Sequence, residues 1–251
     1  MDNAMYVSLS RQMVLQRELD IVANNIANAN TNGFKVESLT SLDDPVTPPK
    51  AIGPQAAIQY TLDGSVARDY SQGSLSTTNG PLDVALSGSG FFQVQTASGV
   101  QYTRDGNFTM NAQGQLTTQA GDPVLDASGS PITINSAYGP VTIGRDGTIT
   151  QKPPGQAQSQ VVGKIGVVTF PSLSSLSKAG DGLYANTTNQ TPQPATSAVV
   201  QQGMLESSNV QPIVQITDLI RIQRAYEAVS QMISNTSDLS KSAIQRLGAV
   251  Q

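Results

Sequence analysis

Apolar residues recur in steps of three and four at both ends of the chain and lose that spacing in between. Met5, Ser8, Gln12, Leu15, Leu19, Val22, Ile26 and Ala29 form one stripe, apolar throughout from Leu15 onward. It predicts an amphipathic helix over roughly residues 6–29. A second stripe runs through Leu219, Ile222, Tyr226, Val229, Ile233, Ala243 and Leu247, with Thr236 and Ser240 as polar interruptions. It predicts a longer helix over roughly residues 210–247. Ala225, Met232 and Leu239 run beside that stripe, and Ile213, Ile216 and Ile220 make a further face. A helix apolar on more than one side needs more than one neighbour. At 1.5 Å per residue the helices span about 36 and about 57 Å, so they cannot simply cover each other. Helical ends of this kind around a different middle point to assembly rather than catalysis. The first helix is marginal alone and is expected to order only against a partner.

The end of the first helix is rich in Asn: Asn24, Asn25, Asn28, Asn30 and Asn32 precede Gly33 and Phe34. Asn suits turns and left-handed positions, so Gly33 reads as a helix C-terminal cap with Phe34 as its hydrophobic contact. Termination does not account for Asn24 and Asn25, which fall mid-helix. A buried Asn at a packing seam fixes register at some cost in stability, and that role is expected for at least one of them. At the other helix, Ser207, Ser208 and Asn209 offer N-cap side chains, and Pro212 fits a first turn.

The middle reads as β. Phe91–Gln95, a turn at Gly99 and Val100–Thr103 make strand, turn, strand, and Val141–Thr150 is a hairpin with Asp146-Gly147 at its tip. Gly163–Phe170 reads as another strand ended by Pro171, and Asp44–Pro54, with Pro45, Pro48, Pro49 and Pro54, as extended or irregular chain. The expected fold class is mixed α and β. Long N- and C-terminal helices form a coiled-coil-like layer, and the centre is an antiparallel all-β barrel or sandwich. The chain divides into an assembly helix over 1–35, an extended connector over 36–75, a β-domain over 76–200 and a second assembly helix over 201–251.

Composition narrows the function. Charged residues make up 13% of the 251 positions, about half the usual ~25%. The net charge of −4 comes without a basic patch, which argues against nucleic acid. The chain has no Cys and no His. That removes Cys–His and Ser–His–Asp catalysis and thiolate or imidazole zinc sites, and no disulfide can form in an oxidising compartment. No apolar run reaches the ~18 residues of a membrane-spanning helix. The start, with Asp2 early and no apolar core, is not a Sec-type signal peptide. Asp63, Asp105, Asp146 and Asp181 each precede Gly, and turn chemistry accounts for all four. Arg221, Arg224 and Glu227 read as a solvated or interface face, and Tyr226 as a packing knob. No catalytic, cofactor or metal residue is expected, and no small-molecule substrate.

Three stretches resemble one family. Residues 1–35, with Asn24-Asn25-Ile26-Ala27-Asn28 and Asn30-Thr31-Asn32-Gly33-Phe34-Lys35, resemble the N-terminal signature of the axial proteins of the bacterial flagellum: rod, hook and hook-associated proteins. Asn32 stands where the family pattern has Thr, a departure that keeps turn chemistry. Pro81-Leu82-Asp83-Val84-Ala85-Leu86, Gly88-Ser89-Gly90-Phe91-Phe92-Gln93-Val94 and Tyr102-Thr103-Arg104-Asp105-Gly106-Asn107-Phe108 are similar to the β-domain of rod and hook proteins. Gly203–Val210 followed by Ile222–Glu227 resembles the family's C-terminal signature. The Met-Asp-Asn-Ala start with Tyr6, and the compact stretch between Phe34 and Gly73, look most like the proximal-rod type. The distal-rod type is the runner-up, and a hook-type protein would be longer.

The resemblance implies a structural subunit of the basal body that transmits torque across the periplasm. It implies export through the flagellar apparatus without a cleaved signal. Its partners would be other rod subunits, copies of itself and the export apparatus. The expected assembly interface is Leu15, Leu19, Val22, Asn24, Asn25, Ile26, Leu219, Ile222, Tyr226, Val229 and Ile233. Two readings from other classes compete. A secreted glycan-active wall enzyme needs two carboxylates converging in a cleft. A soluble binding module closed by its helices predicts a discrete oligomer rather than an open array.

Overall fold

The computed structural model describes residues 2–40, 42–46, 58–62 and 65–248. The chain divides into two compact units. One is mostly helical and takes residues 1–28, 36–69 and 210–251; the other is β and takes residues 29–35 and 70–209.

The helical unit is built on α1, Asp2–Ala27, and α2, Pro212–Gly248. No Gly or Pro interrupts α1, and its last turn closes where the Asn28 N–H donates to the Asn24 carbonyl at 3.1 Å. Pro212 opens α2, at the one helical position where a missing N–H costs nothing. The Gln211 carbonyl accepts the first helical bond, from Gln215 at 3.1 Å. Asn209, one of the residues expected to cap this helix, donates its side-chain amide to the Ser71 carbonyl at 3.2 Å, a contact inside the β-unit. Leu15 and Val22 of α1 and Ile222 of α2 are buried together, with Leu19, Ile26, Leu219, Ala225, Tyr226 and Val229 half-buried around them. Each fully buried Leu or Ile here contributes about 1.5–3 kcal/mol.

The terminal helices do not form the long coiled-coil layer that their heptad spacing suggests. Among the described residues their shared apolar cluster runs over Leu15–Ile26 and Leu219–Val229. Toward the start of α1, Met5, Tyr6, Leu9 and Met13 are exposed, and Met232 and Leu239 are exposed on α2. Two causes limit the pairing. The second stripe meets polar residues at Thr236 and Ser240. The first helix also gives packing area to short strands of its own unit, Glu37–Leu39 and Ile58–Leu62. Those strands pair antiparallel with Val66–Arg68 and Leu42–Val46 respectively. Asp44, Pro45 and Val46 are therefore extended as the prolines suggest. The rest of that Pro-rich stretch, 47–54, and the Asp63-Gly64 turn lie outside the described residues.

The β-unit is antiparallel throughout its named strands, but it is divided into several small sheets rather than one closed barrel or a two-sheet sandwich. The largest sheet runs in the order Leu176–Gly180, Leu183–Asn186, Gly99–Thr103, Phe91–Thr96, Val167–Thr169, Gln193–Pro194. Alternation along Phe91–Thr96 separates two cores. Phe92 and Val94 face a cluster with Leu86, Leu116, Val124, Ile149 and Ile165. Phe91 faces the other way, into Tyr102, Val168, Phe170, Leu176 and Tyr184. The aromatic rings of this second core meet edge to face, as Tyr102 and Phe170 do at 4.8 Å between centroids.

The hairpin at Val141–Thr150 forms as read, pairing Thr142 with Thr150 and Ile143 with Ile149 around Gly147 at φ 84°. The expected single strand over Gly163–Phe170 is instead two, Gln160–Lys164 and Val167–Thr169. Between them Ile165 bridges Asp126, and the Gly166 N–H donates to the Leu125 carbonyl at 3.0 Å. The chain changes sheets there because a loop from 125–126 occupies the ladder position.

Candidate functional site

The expected interface residues are brought together inside the helical unit. Leu15, Val22 and Ile222 are its buried centre, and Leu19, Ile26, Leu219, Tyr226 and Val229 its half-buried rim. Ile233 is half-buried beyond that cluster. The two mid-helix asparagines differ. Asn24 is exposed, and its carbonyl accepts from the Asn28 backbone and side chain. Asn25 is 1% exposed. Its Nδ2 donates to the Glu37 carbonyl at 2.8 Å and to Gln215 Oε1 at 2.9 Å, and its Oδ1 accepts the Glu37 N–H at 3.0 Å. One carboxamide thus ties α1 to α2 and to the strand that follows. Glu37 in turn holds Arg68 at 2.7 Å across the two-stranded ladder.

Around this centre the helices keep apolar side chains in water. Tyr6, Leu9 and Met13 of α1 are exposed, as are Ile213, Val214, Ile216, Ile220, Met232 and Leu239 of α2, with Ile213 the most open at 81%. That is a large apolar area for two helices of a chain with ample polar residues, and such area marks interaction sites. Among the described residues no helix is long and apolar enough to cross a membrane.

The β-unit holds a second constellation, in which the N- and C-terminal signature motifs meet. Lys35 and Glu206 have no exposed side-chain surface, and their Nζ–Oε1 distance is 2.6 Å. Lys35 also donates to the Ser71 carbonyl at 2.6 Å, and the Gly73 N–H donates to the same Glu206 oxygen at 3.0 Å. The other carboxylate oxygen accepts from Arg104 at 3.2 Å, and Arg104 reaches the Gly88 carbonyl at 2.8 Å and lies over the Phe91 ring. Burial pulls the Arg104 pKa down, and the charge and hydrogen bond of Glu206 oppose that pull. The Glu206 backbone carbonyl accepts the Gly33 N–H at 2.7 Å.

Gly33 is not the cap of α1, which ends at Ala27. It sits at φ 67°, and a Cβ there would lie 2.5 Å from the Asp105 nitrogen. Glycine is needed because two backbones touch. The sequence reading missed the triad entirely. The available signal was three charges placed among Phe34, Leu205 and Tyr102 in a chain poor in charge.

Two of the turn aspartates cap their own turns. Asp105 accepts from the Asn107 N–H at 3.0 Å, and Asp146 from the Thr148 N–H at 3.1 Å. Asp105 also lines a pocket of about 350 Å³ with Thr103, Asn107, Asp122 and Asp181. Burial raises its pKa; the Asn107 hydrogen bond works against this and the nearby Asp83 charge adds to it. Among the described residues no three His, Cys, Asp or Glu side chains converge as a metal site would require.

The chain is similar to one family along most of its length. Residues 5–35 match the family described as flagella basal body rod protein. Residues 85–151 match the flagellar hook protein FlgE/F/G D1 domain, and residues 201–246 the flagellar basal body rod FlgEFG protein C-terminal. It is 54% identical over 250 residues to the flagellar basal-body rod protein FlgF of Caulobacter vibrioides, covering 100% of both chains. It is 36% identical over 252 residues to the FlgF of Mesorhizobium japonicum, covering 99% of each. Against the flagellar basal-body rod protein FlgG of Buchnera aphidicola the identity is 34% over 253 residues, covering 94% of this chain and 95% of the relative.

Proposed function

The chain belongs to the flagellar basal-body rod protein family, and from that premise we propose that it is a structural subunit of the flagellar basal-body rod, of the FlgF type at the proximal end. The observation that carries this reading is the 54% identity to an FlgF across the whole of both chains. Its work is mechanical. It joins other rod subunits and copies of itself, and it passes torque through packed side chains rather than through chemistry.

The terminal helices supply the joining surfaces. Apolar residues left in water on one subunit, such as Tyr6, Met13, Ile213, Ile216 and Leu239, gain about 25 cal/mol for each Å² that a neighbour covers. The seam of Leu15, Leu19, Val22, Asn24, Asn25, Ile26, Leu219, Ile222, Tyr226, Val229 and Ile233 sets the pose in which those surfaces are offered, and takes part in the assembled contact. A head-to-tail interface of this kind propagates as an open helical array. The subunit reaches the periplasm-spanning rod through the flagellar export apparatus, as an uncleaved chain.

The test is isolation of intact basal bodies from a strain carrying a tagged copy as its only copy. Recovery of the tag within the rod, at its cell-proximal end by labelling, supports the reading. A motile strain whose tagged protein stays outside the basal body overturns it.

A further inference from the structure

The chain carries 6 Met and no Cys, His or Trp, so methionine is its main target for two-electron oxidants. The fold sorts the methionines. Met13 is 67% exposed and Met232 52%, whereas Met204 is half-buried in the strand Met204–Glu206, paired with Leu75–Thr77. Met5, Leu9 and Met13 follow one another every fourth position on α1, so the helix stacks them into one exposed stripe. Met13 lies about half a turn round α1 from Leu15 and Val22, which are buried against Ile222. Met232 is exposed on α2 together with Leu239, and neither belongs to that buried cluster.

A methionine so placed can change its polarity without disturbing the core. Hydrogen peroxide supplies the chemistry. The thioether sulfur attacks one peroxide oxygen, the O–O bond breaks and an S–O bond forms. The attacked oxygen gives its proton to the departing hydroxide, which leaves as water. Sulfur is oxidised and the peroxide reduced. The sulfoxide keeps the length of the side chain but carries a polar S–O group, and covering that group with an apolar neighbour that offers no donor is unfavourable. We propose that Met13 and Met232 are oxidation sites through which a peroxide disables the joining faces of the helices while both units stay folded. This rests on the reading that the terminal helices join subunits. A joined subunit has those faces covered, so oxygen transfer is confined to subunits not yet joined. A thiol-dependent sulfoxide reductase reverses the change.

Timed exposure of the folded full chain to hydrogen peroxide, with peptide masses read for one added oxygen, tests the sites. Met13 and Met232 should react at least about fivefold faster than Met204, with helical signal and unfolding midpoint unchanged. Met204 reacting as fast, or loss of the fold as Met13 and Met232 react, overturns the proposal. Gln matches Met in length and adds one carbonyl, so it imitates the oxidised side chain. The double variant Met13→Gln, Met232→Gln, as the only copy in the cell, should keep the parent's unfolding midpoint. It should reach basal bodies at least about tenfold less than the parent. Met110→Gln, a change in the β-unit at a residue 39% exposed, should reach them at the parent's level. Full incorporation of the double variant, or equal loss for Met110→Gln, overturns the proposal. So does a double variant that does not fold, since these side chains would then serve the core. A parent chain absent from basal bodies overturns the rod reading alone, and the peroxide mapping then decides the oxidation sites.

Discussion

Asn25 pairs with Glu37 as one strand pairs with another. Its carboxamide donates to the Glu37 carbonyl at 2.8 Å and accepts the Glu37 N–H at 3.0 Å, so a helix side chain completes the backbone bonding of the strand beside it. Asn25→Ala removes both bonds and the one to Gln215. It should cost about 1–3 kcal/mol, the penalty of leaving buried polar groups unmade. Asn24→Ala, on the exposed side, should stay within about 0.5 kcal/mol. Urea unfolding of the two variants, followed by helical signal, separates them.

Glu206→Ala should destabilise the β-unit by about 3–5 kcal/mol, because it removes the buried carboxylate that Lys35 and Arg104 both contact. Replacing all three with apolar residues of similar volume should recover most of that loss. Equal loss in the single and the triple variant would mean that the network matters for shape rather than charge. Thermal unfolding gives the comparison.

Gly106→Ala should be among the most damaging single-methyl changes in the chain. Its Cβ would stand 1.6 Å from the Val84 carbonyl oxygen, where the Val84 N–H already donates to the Gly106 carbonyl at 3.0 Å. A loss above about 4 kcal/mol is expected, visible as failure to gain near-ultraviolet signal. At Gly121 a Cβ meets nothing within 4 Å, although the residue sits at φ 95°. Gly121→Ala should therefore cost only about 1–2 kcal/mol of backbone strain.

Asp105 gives a pH dependence of definite sign. Its folded-state pKa is raised above the ordinary 3.8, so the native state holds the proton more tightly than the unfolded one. The contribution is fully present below pH ~3.8 and fades as pH rises through the higher folded value. Asp105→Asn keeps an oxygen for the Asn107 N–H and removes the charge. It should be more stable than the parent at pH 7, with the advantage vanishing at acid pH. Unfolding midpoints across that range check it.

Leu19→Asp puts a charge on the half-buried rim of the helix pair. The β-unit should stay folded, with unchanged exchange protection over Phe91–Thr103, while incorporation into rods is lost. Normal incorporation would show that this seam is not needed for assembly.

The stripes through Leu15–Ile26 and Leu219–Val229 were legible because helical period is a local property. Their extent was not, since a heptad seam says nothing about the strands that compete for the same face. Asn24 and Asn25 look alike in sequence, and only the position of Glu37 decides which one is buried. The hairpins at Gly99 and Gly147 could be read from turn chemistry. The break at Ile165-Gly166 could not, because it answers to Asp126, a residue in another loop. Nothing local in the sequence sets Lys35, Arg104 or Glu206 apart. Their meeting depends on closures of 102 and 171 positions that no local pattern encodes.

The bond between Gly33 and Glu206 has a topological consequence. Two positions near the opposite ends of the chain are one hydrogen bond apart at 2.7 Å, and the Asn209 N–H reaches the Phe34 carbonyl at 3.4 Å. Of the chain strung between them, residues 70–205 form one cassette with a closed mouth. Residues added to or deleted from its far hairpins change its girth while its entry and exit strands stay side by side.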